Sequence, residues 1–432
     1  MLKQIETTEL HLGMYIAKIS EKWFESPFWR PSFLLTKDKD IQTLLDHGFT
    51  SVWIDTSKGL DPDEIANGPE TEAESAASAS GRAAEAPSAQ SANPDIETRS
   101  RAESYGFGDP LPVAPNEPRP APLETERARA AAICGKARRA MVEMFQELRM
   151  GQAVDAERML PVVDEISQSV LRNSDALLGL VRLKTKNDYT YMHSVAVCAL
   201  MVALARQLGM PEDEVRDAGL AGLLHDIGKM AVPNGILDKP GTLTDEEFRV
   251  IKSHPVAGHR ILSKGSGVPA SALDVVLHHH EKIDGSGYPH GLADAQISRL
   301  ARMGAVCDVY DALTSNRPYK EGWCPTKAIR LMATWKGHFD AAVFQAFVKS
   351  VGIYPVGTLV RLESGRLGVV LQQLGRSLLQ PRVRVFFSTK SMTHIPPEVV
   401  DLGVPHARDK IVDWEDPEKW EFKNLENLWV HG

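Results

Sequence analysis

Apolar and polar positions alternate along the first stretch of the chain. "GMYIAKI" and "TSVWID" read as strands of period two. "DKDIQTLLDHG" between them carries helical spacing, with Gly48 as its stop. The pattern predicts a small α+β module over residues 1–60. Trp23, Phe24, Phe28, Trp29 and Phe33 gather in it, as a core or as a docking surface for a protein partner.

The pattern lapses over 61–123, which is Ala, Ser, Pro, Glu and Gly with few large apolar residues. Such a stretch buries too little surface to offset its ordering entropy, and reads as a disordered linker. Helical spacing begins at about Glu124 and resumes from Ala156 to Lys184, with a kink expected at Pro161. This connector, 124–184, can carry a signal, pack into a homodimer or begin the next domain; its periodicity is not a sustained heptad. From 185 to 352 the pattern stays helical. "SVAVCALMVALARQLG" is apolar all round, as a buried helix is, and Pro325–Ser350 is amphipathic. After Pro355 it changes again: "GTLVRLESGRLGVVLQQ" and "RVRVFFSTK" read as two or three strands of a β-rich appendage, 353–432. The fold class is therefore mainly α, with an all-helical core between two small modules.

Composition adds limits. A net charge of −8 argues against binding a nucleic-acid polymer, which favours a basic excess. The four cysteines form no CxxC pair, which suits free thiols in a reducing compartment. "MLKQIETTEL" lacks a signal-peptide core. The longest apolar run, Val195–Ala205, falls short of the roughly 20 residues that span a bilayer. A cytoplasmic protein without membrane insertion is expected.

Histidine supplies the chemistry. His193, His225, His254, His259, His278, His279, His280 and His290 crowd one part of the helical region, and His225 stands beside Asp226. Clustered His and Asp point to a metal site. His225-Asp226 closes an apolar run, and burying both without partners costs several kcal/mol, about what one ion would relieve. A helix-end His with a capping Asp explains that pair alone equally well, and His193 alone is weaker still. "HHHEKIDGSGYP" is stronger. Neighbouring histidines share an ion only at a terminal or distorted turn. Glu281 could orient a ligand imidazole, and Asp284-Gly285 with Ser286-Gly287 make a tight loop. In "CDVYDALTSNRPYK", Asp308 and Asp311 lie one helical turn apart, and Arg317 and Lys320 follow at the same spacing, which suits a phosphate held between metals and cations.

Together these stretches resemble the HD-GYP family, the HD-superfamily phosphohydrolases that degrade bacterial cyclic di-GMP. The resemblance runs from about Tyr189 to Ser350 through "LLHDIGK", "HHE", "DGSGYP" and "DVYDALTSNRPYK" in order. The aromatic-rich N-terminal module also resembles one often found upstream of this domain. The resemblance implies that His193, His225, Asp226 and Asp308 hold one metal. It implies that Asp226 bridges to a second, which His254, His279 and His280 complete. It gives Lys229 the substrate phosphate, and places Asp284, Gly285, Tyr288, Arg317 and Lys320 along the substrate cleft. Some relatives carry a carboxylate where this chain has Tyr189, supporting a third metal, so two ions are expected here. An imidazole and carboxylate site without thiolate suits Fe or Mn, with Zn, Ni or Co admissible, and the resemblance favours Fe or Mn.

Two such metals, about 3.5–4 Å apart, generate hydroxide near neutral pH and stabilise developing charge. The expected reaction is attack of a metal-bridging hydroxide on phosphorus, opening cyclic di-GMP to pGpG, with GMP after a second cut. Two other readings stand beside it: a nucleotide sensor without turnover, and an enzyme for another cyclic dinucleotide. The full ligand set speaks against the first and the intact "DGSGYP" against the second.

Overall fold

The structure is a computed structural model. It describes residues 2–18, 33–36, 38–46, 50–61, 120–184, 189–237, 239, 243–315, 322–374, 377–422 and 424–430. The chain forms two compact units, Met1–Glu117 and Pro118–Gly432.

The first unit is an antiparallel sheet of β1 (Leu2–Glu6), β2 (Tyr15–Lys18), β3 (Phe33–Leu34) and β4 (Ser51–Asp55), in the order β1-β4-β2-β3, with helix α1 (Asp38–Asp46). Alternation sets the register: Val52 pairs with Ile5, and Val52 and Ile54 are buried while Trp53 between them faces out. The pattern named β2, β4 and α1 and passed over β1. Of the expected aromatic cluster, Trp23, Phe24, Phe28 and Trp29 lie outside the described residues, as does Gly48.

The second unit is mainly helical. The stretch read as a connector is packed into its core. Helix α2 (Leu123–Arg149) buries Ala130, Ile133, Ala137, Met141 and Met144, spaced by threes and fours. Its buried Glu126 accepts two 2.7 Å bonds from Arg172 and one from Ser169 on helix α3 (Leu160–Val181), which fastens the pair. The kink expected at Pro161 is absent. Pro161 lies in the first turn, where its missing N–H costs nothing. The helix breaks instead at Asn173, whose Oδ1 accepts from the Ala176 N–H at 3.3 Å and so caps the second half.

Helix α4 (Tyr189–Gln207) is the axis of this core, buried from Met192 to Ala205. It has the length and apolarity to cross a membrane, but 78% of its most apolar window is buried inside the unit. Around it lie α5 (Glu212–Leu224), α6 (Asp245–Ile251), α7 (His254–Leu262), α8 (Ala270–His278), α9 (Arg299–Thr314), α10 (Pro325–Thr334) and α11 (Ala341–Val351). Two glycines bring the elements of the histidine cluster together. A β-carbon at Gly222 would collide with the Cys198 backbone, so its absence lets α5 press against α4. A β-carbon at Gly228 would overlap the His254 carbonyl, so the turn after α5 can rest on the start of α7. Cys198 and Cys307 are buried among apolar neighbours, and none of the four cysteines is paired.

The C-terminal part is a five-stranded antiparallel sheet, more than the two or three strands expected. Strands β5 (Leu359–Leu362), β6 (Arg366–Gln372), β7 (Arg382–Ser388), β8 (Thr393–Asp401) and β9 (Ile411–Trp414) are ordered β8-β7-β6-β5-β9. Apolar clusters line both faces, which is why β6 is buried through its middle instead of alternating. Edge strand β8 contains Pro396 and Pro397, which lack the N–H that a further strand would need. The sheet joins the helices through Trp429, beside Gly179 and over Arg182, and through the Arg182 guanidinium donating to the Val356 carbonyl at 2.7 Å.

Candidate metal centre

Seven donors named from the sequence meet in two adjoining clusters. His193, His225, Asp226 and Asp308 form one; His254, His279 and His280 form the other. His193 stands in the first turns of α4, His225 caps α5, and Asp226 begins the turn beyond. Asp308 projects from α9, and His254 opens α7. Helix α8 stops at His278, so His279 and His280 lie in its terminal turn, where neighbouring imidazoles can turn to one place. Their ring centroids are 4.1 Å apart.

Asp226 ties the clusters together. Its Oδ2 lies 3.3 Å from His193 Nε2 and 3.4 Å from His225 Nε2, while Oδ1 lies 3.3 Å from His254 Nε2 and 3.9 Å from His279 Nε2. Asp308 Oδ1 reaches His193 Nε2 at 3.0 Å, and Asp308 Oδ2 is 3.9 Å from His280 Nδ1.

In three of these histidines the other ring nitrogen is committed elsewhere. Nδ1 of His225 donates to the Gly222 carbonyl at 2.8 Å, Nδ1 of His254 to Ile251 at 2.7 Å, and Nδ1 of His279 to Val275 and Val276 at 3.1 Å. A carbonyl only accepts, so each Nδ1 carries the hydrogen. In the neutral rings each Nε2 then holds a lone pair. Those of His254 and His279 face each other at 3.3 Å, and a cation between them turns that contact from repulsive to attractive.

Charge points the same way. Burial works to raise Asp226, but Lys229, His225 and His193 outweigh it and hold the carboxyl well below its usual range. Asp308 is likewise held low, against its burial, by His193 and His225. Burial works to lower His225, but Asp226 and Asp308 overcome it and push the imidazole up to about 10; His193 is raised by the same carboxylates and Asp311. In the second cluster burial wins, helped by neighbouring histidines: His279 falls to about 3 and His280 well below its usual value. One half of the centre thus demands positive charge and the other offers neutral lone pairs.

The donor set fits divalent ions on an independent observation. Asp226 Oδ1 is fully buried and accepts no hydrogen bond among the described residues. An ionised oxygen in that state costs several kcal/mol, about what a bound cation offsets.

Other residues fall in varied places. Lys229, partly exposed, pairs with Asp226 Oδ2. The Tyr288 ring stacks on His280 with centroids 4.7 Å apart, and its hydroxyl is raised well above its usual range by burial and by Asp308 and Asp226. Asp284 Oδ1 accepts from the Ser286 N–H at 2.9 Å and its side chain abuts Gly337, while Gly285 turns the chain with φ 77°. Both shape the loop, and neither joins a donor cluster. Arg317 and Lys320 lie outside the described residues. Glu281 does not orient an imidazole. Its carboxylate accepts from the backbone N–H groups of His290, Gly291 and Leu292 at 2.7, 3.1 and 3.0 Å, which fixes the loop carrying Tyr288. His278 turns away to Asp274 and His290. The Tyr189 ring lies parallel to His193, 5.7 Å away.

Two further residues stand behind the donors. Asp311 Oδ2 accepts from His193 Nδ1 at 2.6 Å, and buried Lys184 pairs with the same oxygen. The three-residue step from Asp308 to Asp311 was the visible signal for the first. Nothing local marked Lys184.

An HD domain matches residues 174–343, and a domain of unknown function, DUF3391, matches residues 2–159. An HD domain implies a divalent metal site. The chain is 55% identical over 431 residues to cyclic di-GMP phosphodiesterase PA4108 of Pseudomonas aeruginosa, covering 100% of this chain and 96% of that one. It is 37% identical over 196 residues to the cyclic di-GMP phosphodiesterase response regulator RpfG of Xanthomonas campestris, covering 45% of this chain and 51% of the relative. Among solved structures, Bd1817, an HDG"Y"P protein from Bdellovibrio bacteriovorus, aligns with 80% of this chain and 98% of its own at 17% identity and a TM-score of 0.43. The relative that matches nearly end to end settles the assignment: the chain belongs to the HD-GYP family of HD-domain phosphodiesterases, with a DUF3391 domain ahead of its HD domain.

Proposed function

We propose that the chain hydrolyses cyclic di-GMP to linear pGpG at a centre of two divalent ions; a second cut there would give GMP. The observation that carries this is Asp226, whose two oxygens address two separate clusters while one of them accepts no hydrogen bond among the described residues. The names of the relatives support the substrate.

His193, His225 and Asp308 would hold one ion, and His254, His279 and His280 the other, with Asp226 shared. Imidazole and carboxylate without thiolate suit Fe or Mn. When bound, such ions supply hydroxide near neutral pH and neutralise phosphoryl charge. The chain's own residues bind and orient. Lys229 offers its ammonium to a non-bridging phosphoryl oxygen at the edge of the centre. Tyr288, seated on His280 by the Glu281-fixed loop, walls the cleft and limits water. In the reaction the oxygen of water joins phosphorus, the P–O3′ bond breaks, and the 3′ oxygen leaves with a proton.

The test is anaerobic incubation of purified full chain, loaded with Fe(II) or Mn(II), with cyclic di-GMP and with a mixed guanine–adenine cyclic dinucleotide, products separated by chromatography. Preferential release of pGpG from cyclic di-GMP is expected, and GMP beside it would report a second cut. Absence of both products, or full turnover by His225→Ala/Asp226→Ala, overturns the reading.

A further inference from the structure

His193 differs from His225, His254 and His279 in how it is held. The Nδ1 atoms of His225, His254 and His279 rest on backbone carbonyls. Nδ1 of His193 rests on a side chain, the Asp311 carboxylate, at 2.6 Å. Helix α9 therefore addresses both nitrogens of this ring, Asp311 at Nδ1 and Asp308 at Nε2, from positions one turn apart.

Asp311 is in turn fixed by Lys184. The Lys184 side chain is 0% exposed, and its ammonium donates to Asp311 Oδ2 and, at 2.6 Å, to Ser315 Oγ. Ser315 Oγ donates to Asp311 Oδ1 at 3.1 Å, so both carboxylate oxygens are occupied and the carboxylate is pinned. One oxygen, Oδ2, receives both the ammonium and the His193 N–H.

We propose that Lys184 is a positioning residue: through Asp311 it fixes the tautomer and angle of His193, and thereby the affinity of the first cluster for its ion. This rests on the reading that His193 holds an ion. Bonding to an ion-binding imidazole from a carboxylate behind it sets ring orientation and strengthens the ligand. Removing the ammonium alone leaves Asp311 a buried carboxylate short of its counter-charge, which destabilises the fold whatever the role of Lys184. A purely structural Lys184 would show that loss in stability and leave the ion affinities of the folded chain unchanged. A positioning Lys184 would weaken an ion as well, because Asp311 would lose the donor that fixes it.

Mn(II) binding to metal-free full chain, followed through the electron paramagnetic resonance of free Mn(II), decides between them. The wild type is expected to take two ions. Lys184→Met should weaken one of them by roughly 10–100-fold. Asp311→Asn, which keeps an amide oxygen for the Nδ1–H, should weaken the same one. The double variant should lose no more than the weaker single variant, because the residues act as one unit. Lys184→Met with both affinities unchanged, or losses that multiply in the double variant, overturns the proposal. A wild type that takes up no Mn(II), or His193→Ala that keeps both ions, overturns the metal assignment of His193 and the relay with it. If Lys184→Met does not fold, Ser315→Ala removes the second partner of the ammonium in place; a several-fold weaker ion is expected, and an unchanged one overturns the proposal.

Discussion

Asp226 is shared between the two clusters, and its charge matters as much as its shape. Asp226→Asn keeps the volume and removes the anion. Turnover by the metal-loaded variant is expected to fall by more than the roughly 10–100-fold typical of residues behind a ligand, with fewer than two Mn(II) bound per chain. Elemental analysis beside a rate assay checks this. A second carboxylate, Asp175, makes a different prediction. It is buried where α3 meets the β-rich part, and burial pushes it up to about 7 despite a 2.7 Å bond from the Gln373 N–H. Its folded value therefore lies above its unfolded value near 3.8. Between those values the folded chain holds a proton that the unfolded chain has released. Stability from this group is full below about pH 4 and is lost as pH rises towards 7. Asp175→Asn should remove that slope and stabilise the chain at pH 8 by on the order of 1–4 kcal/mol. Melting temperatures of both chains at pH 5 and pH 8 test it; an Asn variant with an unchanged slope would refute it.

At the scale of elements, the loop after α8 is shaped by one side chain. Glu281 collects three backbone N–H groups. Glu281→Gln replaces one accepting oxygen with an NH₂ group, which faces a donor. A cost of about 1–3 kcal/mol is expected, the usual consequence of leaving a buried donor unsatisfied. Because Tyr288 rides on this loop and not in the donor clusters, KM should rise more than kcat falls. Steady-state kinetics with metal in excess would reveal the split. The sequence had offered Glu281 as a partner for a ligand imidazole, a fair reading of "HHHE". What it could not convey is that the chain after Tyr288 doubles back, bringing residues nine to eleven positions later over the carboxylate. The break in α3 has the same lesson. Proline attracts attention as a helix breaker, yet Pro161 sits in a first turn where it is harmless, while Asn173 can bend the helix because the carbonyl of Ala121 is there to receive its amide.

For the whole molecule, the helical core and the C-terminal sheet share a boundary held by Trp429, Arg182 and Asp175. Trp429 is 6% exposed although only a few residues from the end of the chain. Trp429→Ala should cost about 3–5 kcal/mol, as large aromatic truncations in cores do, seen as a lower midpoint in urea. The residues proposed to hold the ions are not in this boundary, so Mn(II) stoichiometry should stay that of the wild type.

Much of the molecule was determined by sequence alone. Period two and period 3.6 are local properties, so the strands β2 and β4, the buried character of α4 and the mainly α class follow from them. The seven donors were also named in advance, but through the family resemblance carried by "LLHDIGK", "HHE" and "DVYDALTSNRPYK"; residue type and spacing alone left His193 and the His225-Asp226 pair ambiguous. Tertiary structure decided the rest. It brought those donors within reach of one another around Asp226, which depends on Gly222 and Gly228 letting three helices approach. It made the supposed connector part of the core and gave the tail five strands instead of two or three. It also recruited Lys184, which lies 127 positions from Asp311. No periodicity or spacing reports such a pair, because a buried charge finds its counter-charge through space, and only the packed helices bring the two within reach.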